Sequence, residues 1–79
     1  MGNLDNIISY LKELLEDNTV PRNVRNKLSD VITLLEGEED ESIKVNKALD
    51  EFDEISNDTN LQPYTRTQLW NVVSMLENL

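Results

Sequence analysis

Apolar residues recur along this chain at steps of three and four, the spacing that lines one face of an α-helix. Leu4, Ile7, Ile8, Leu11, Leu14 and Leu15 form a first stripe. Asn3 precedes it as a candidate N-cap, and Asp5 opposes the positive end of the helix dipole. Asp17-Asn18-Thr19 closes the segment. A second helix is expected from Pro21, whose missing N–H costs nothing at the first helical position. Its stripe is Val24, Leu28, Val31, Ile32 and Leu35, and Gly37 follows as the expected C′ residue. Val45, Ala48, Leu49, Phe52 and Ile55 mark a third helix. Its other faces carry Lys44, Lys47, Asp50, Glu51, Asp53 and Glu54, and Ile43 falls outside the periodicity. After the turn formers Ser56 to Asn60, a fourth helix is expected to start near Pro63. Its stripe is Leu69, Val72, Val73, Leu76 and Leu79, flanked by Trp70 and Met75.

The two halves repeat at a fixed offset of 41 positions (Arg66 minus Arg25). Ile8 meets Leu49, Leu11 meets Phe52, Leu28 meets Leu69 and Leu35 meets Leu76. Apolar positions agree in any two amphipathic hairpins, but Asp17/Asp58 and Arg25/Arg66 are turn and surface positions and carry more weight. A period of about 40 residues is that of helical-repeat proteins, and Asp in the turn with Val-Arg early in the second helix resembles a HEAT-type unit. Two units are too few to stack into a solenoid. The expected fold is therefore all-α: a four-helix antiparallel bundle built from two repeated helix-turn-helix hairpins, about 3–37 and 39–79, within a single helical domain spanning 1–79.

Composition narrows the chemistry. The chain has 79 residues, sixteen acids against seven bases, a net charge of −9, and neither cysteine nor histidine. Disulfides, thiolate metal sites and Ser-His-Asp or Cys-His nucleophiles are thereby removed. Two glycines cannot build a phosphate-cradling loop. Nucleic acid is repelled by most of such a surface, leaving at most a local patch at Arg22, Arg25 and Lys27. A basic protein is attracted. The N-terminal Met1-Gly2-Asn3-Leu4 lacks a basic signal-peptide region, and Asn6 departs from the myristoylation pattern. No membrane span is expected, and the expected location is cytoplasmic.

Several segments carry a specific resemblance. Thr19-Val20-Pro21-Arg22-Asn23-Val24-Arg25, then Asp53 to Asp58, Thr65-Arg66-Thr67, Trp70 and Val73 to Glu77 resemble the archaeal uncharacterised protein family 0147, a family of short acidic chains. The family pattern places proline directly after the apolar residue matching Leu61, where this chain has Gln62 and then Pro63, so the start of the fourth helix stays open. The resemblance implies a bundle of four helices. The family's role is unassigned, so no catalytic or binding residue follows from it.

Four groups of side chains are candidates for special roles. Arg25 and Arg66 are expected to cross back to the preceding turn and bond Asp17 and Asp58 or the last carbonyls, a task suited to the guanidinium fork. The alternative makes them paired anion contacts. Trp70 and Tyr64 are half of the aromatic content. Trp70 is expected either at the core edge or as an interface anchor, and with Met75 and Ile32 it forms a candidate self-association patch. The run Glu36 to Glu41 invites a calcium reading but lacks the EF-hand spacing, and its acids suit the dipole of the third helix. The expected function is a non-enzymatic protein-interaction module with an acidic surface, meeting a basic protein or a second copy of itself as a homodimer, and needing no cofactor. The alternative is a metal- or small-molecule-dependent helper enzyme using surface carboxylates.

Overall fold

The computed structural model describes residues 3–79 and contains four helices: α1 (Asn3–Leu15), α2 (Arg22–Glu36), α3 (Glu41–Ser56) and α4 (Pro63–Glu77). The side chain of Asn3, expected as an N-cap, lies outside what is described, as do Met1 and Gly2. Short connections make sequential helices antiparallel. Each helix packs on two neighbours, α1 on α2 and α4, α3 on α2 and α4, while among the described residues the backbones of the diagonal pairs stay more than 8 Å apart. The result is a closed ring of four helices, 32 × 21 × 20 Å.

The stripes meet at the centre of the ring. Ile7, Leu11, Leu28, Val31, Ile55, Val72 and Leu76 are fully buried. Val20 and Leu61, equivalent positions in the two hairpin turns, plug one end of the core. Leu4, Leu15, Val45, Leu49 and Val73 lie at its margin, partly buried.

The offset of 41 runs through the backbone as well. Helices α2 and α4 are each 15 residues long and coincide at that offset. Asp17 N–H bonds Leu14 O as Asp58 N–H bonds Ile55 O, and Val20 N–H bonds Asp17 O as Leu61 N–H bonds Asp58 O. Each turn also closes on its aspartate. Thr19 N–H reaches Asp17 Oδ1 at 2.9 Å, and Asn60 N–H reaches Asp58 Oδ1 at 2.8 Å. An aspartate that mimics a backbone turn in this way stops a helix and starts a tight connection.

Several sequence expectations need correction. Pro21 is the N-cap of α2 (φ −57°, ψ 149°) and Arg22 is the first helical residue. α4 starts at Pro63, as expected from the sequence, with Gln62 as its cap. Gly37 is extended (φ −72°, ψ 179°) rather than left-handed, so its requirement is spatial: a Cβ would stand 3.2 Å from Leu34 O. Leu79 lies beyond the end of α4 and is exposed. Ile43 is 45% exposed, in the first turn of α3.

Lys44, expected on a solvent face, is buried. Its Nζ donates to Leu35 O at 3.1 Å and to Gly37 O at 3.0 Å. Helix α2 has no basic residue in its own last turn, and Lys44 supplies from α3 the cation that the negative helix end favours.

Candidate functional site

The two arginines diverge. Arg66 Nη1 donates to Ser56 O at 2.9 Å and Nη2 to Asp58 O at 2.8 Å, closing the C-terminal end of α3, which also lacks a basic residue of its own. Arg25 makes no equivalent bond to the α1–α2 turn among the described residues, and its Nε is buried without a partner. The cross-back expected of Arg25 is therefore absent, and the pseudo-symmetry fails at this pair.

Asp17 and Asp58 are the acids whose affinity for protons is displaced. Hydrogen bonds from the Thr19 hydroxyl and Thr19 N–H hold the Asp17 carboxyl below its ordinary value. Asp58 is lowered by the Asn60 N–H first, then by the Asn23 side chain, with the Arg66 charge a smaller cause. The Asn23 Nδ2 to Asp58 Oδ2 bond, 2.7 Å, ties α2 to the far hairpin turn.

The side chains expected to form one apolar patch are not brought together. Ile32 is only 6% exposed and sits in α2, diagonally across the ring from α4. Trp70 and Tyr64 are 71% and 65% exposed. Tyr64 is at the start of α4, its hydroxyl meeting Gln68 Nε2 at 3.3 Å. Met75 lines a shallow recess between α1 and α4. Trp70 instead borders a larger groove between α3 and α4.

That groove, about 620 Å³, has an apolar floor of Leu49, Phe52, Leu69 and Val73. Its walls carry Asp50, Asp53 and Glu77 beside Trp70. A second hollow of about 460 Å³ continues it along the same seam toward Glu41, sharing Leu49 and Glu77. Among the described residues no lysine or arginine lines either hollow. The bases elsewhere are mostly engaged: Lys12 with Glu36 (3.1 Å), Lys27 with Glu54 (3.4 Å) and Lys47 with Glu39 (3.0 Å). The last pair draws Glu39, part of the acidic hairpin, onto α3. Among the described residues no three or more carboxylates gather as a metal-binding group. The groove acids were not singled out in the sequence, where Asp50 and Asp53 read as solvated charges.

An all-helical bundle of two equivalent hairpins, with an acidic, tryptophan-bordered furrow along its second hairpin, is thus the class of protein defined by fold and surface. The profile of the family described as "Uncharacterised protein family (UPF0147)" matches residues 1–79, and the chain belongs to that family. A UPF0147 protein of Methanocaldococcus jannaschii is 42% identical over 79 residues, 96% of this chain and 83% of the relative. One of Archaeoglobus fulgidus is 34% identical over 76 residues, 96% of this chain and 87% of the relative. Among solved structures, the crystal structure of the protein of unknown function MMP1188 is similar, with a TM-score of 0.92 and 40% identity. It matches 98% of this chain and 89% of its own. Among the described residues no helix is long and apolar enough to cross a membrane.

Proposed function

We propose that this chain is a non-enzymatic interaction module that engages a basic protein through its acidic faces. The observation that carries the reading is the α3–α4 furrow, where an exposed tryptophan and an apolar floor stand among carboxylates with no base beside them. Aromatic anchors ringed by charge are the usual make-up of a protein-binding surface. A second copy of the chain is the poorer occupant, because each copy carries −9 and the furrow itself is acidic. The enzyme alternative requires converging carboxylates, one of them with a raised proton affinity to serve as general acid. The two displaced acids, Asp17 and Asp58, are both moved the other way.

Calorimetric titration tests the reading. The protein is titrated at about 0.15 M salt with two helical peptides of one apolar pattern, one of lysine and leucine, the other of glutamate and leucine. Binding of the basic peptide that weakens as salt rises, with none of the acidic one, is the expected result. Indifference to both overturns it.

A further inference from the structure

The internal repeat supplies a template for what the furrow lacks. Shifted by 41 positions, its residues have counterparts along the α1–α2 seam: Leu49 matches Ile8, Val73 matches Ile32, Trp70 matches Ser29, Asp53 matches Lys12 and Glu77 matches Glu36. In the first hairpin that seam is closed. Ile8 and Ile32 are buried, and Lys12 Nζ spans the helices to Glu36 Oε2 at 3.1 Å. In the second hairpin Leu49 and Val73 are only partly buried, and the position of the lysine is taken by a second acid, Asp53, on the wall opposite Glu77. Ser56, where the first hairpin has the larger Leu15, leaves further room on the floor. The second seam is therefore open for two reasons, a shortened floor and a missing cation, and Trp70, where the first hairpin has Ser29, gives it a higher wall.

We propose that a lysine or arginine of a basic partner protein completes this seam, its charge between Asp53 and Glu77 and its methylene stem along Trp70. The assignment rests on the interaction-module reading and places it at one site. The incoming cation does across α3 and α4 what Lys12 does across α1 and α2. Long basic side chains suit both halves of the task, since the stem covers apolar surface while the head stays with the carboxylates. The face of the indole adds attraction for a cation held over it. Asp50, on the same wall, offers a carboxylate to a second base of the same segment.

Trp70 is the only tryptophan of the chain, so its emission reports occupancy of the groove directly. The lysine–leucine peptide is titrated against the native chain, Trp70→Ser and Asp53→Lys, with binding read by calorimetry and, in the chains that keep Trp70, by emission. Trp70→Ser installs the residue of the first hairpin at an exposed site, and Asp53→Lys installs its lysine, so circular dichroism is expected to be unchanged. The native chain is expected to bind with a blue shift of Trp70 emission. Each variant is expected to bind at least about tenfold more weakly. Binding to both variants equal to the native chain, with no emission change, overturns the groove assignment and leaves the acidic-surface reading standing. Failure of the native chain to bind the basic peptide removes both.

Discussion

Thr65 occupies a position that the repeat fills with Val24 in the first hairpin, and both side chains are 1% exposed. Val24 is satisfied there by packing alone. The Thr65 hydroxyl has given up water and found no partner. A buried hydroxyl left without a hydrogen bond costs about 1–3 kcal/mol. Replacing it by a methyl adds a buried carbon worth about 0.8 kcal/mol at a similar volume. Helix propensity barely distinguishes the two residues. Part of the methyl's gain is offset by imperfect packing, so Thr65→Val is expected to stabilise the fold by about 1–2 kcal/mol. For a domain of this size each kcal/mol moves the melting temperature by about 4–8 °C. The reverse exchange, Val24→Thr, is expected to lose a similar amount. Urea unfolding followed by circular dichroism reads both, with an unchanged m value confirming that the two states stay the same. A Thr65→Val variant no more stable than the native chain would refute the reasoning that the repeat's apolar position is the better one.

Arg66→Ala is expected to cost about 1–2 kcal/mol, since two charge-assisted bonds, to Ser56 O at the end of α3 and to Asp58 O in the turn after it, disappear from a half-exposed site. Arg25→Ala is expected to stay within about 0.5 kcal/mol in the same urea series, and equal losses would contradict the asymmetry. Lys44→Met keeps the stem but strips Leu35 O and Gly37 O of their donor, for an expected loss of about 1–3 kcal/mol. Asp17 and Asp58 bind protons less readily folded than unfolded. Their contributions are therefore fully present above the ordinary aspartate value near 3.8 and fade as pH falls through their lowered values. Carboxyl titration by NMR is expected to find both midpoints below that value.

Much of the fold was legible because its signals are local or periodic. All five apolar positions of α2 that the spacing selects, Val24, Leu28, Val31, Ile32 and Leu35, are buried. The offset joining Arg25 to Arg66 also joins the turn hydrogen bonds of Asp17 and Asp58. What escaped depends on which helices become neighbours. Ile32 reads as surplus apolar surface until α2 is set between α1 and α3. Lys44 reads as a solvated charge because its partners are carbonyls at the end of another helix. The groove left traces in the sequence, Trp70 against Ser29 among them, and one of charge: at the shared offset Lys12 pairs with Glu36, whereas Asp53 meets Glu77. The charge mismatch acquires meaning once Lys12 and Glu36 are seen to bridge two helices.

Backbone NMR of the isotope-labelled protein, titrated with the lysine–leucine peptide, bears most directly on the central claim that the chain works by offering an unfinished helix seam to a basic partner. Shifts are expected to concentrate in residues 49–56 and 69–77, with α1 and α2 nearly silent. Shifts spread evenly over all four helices, or centred on the closed α1–α2 seam, would contradict it.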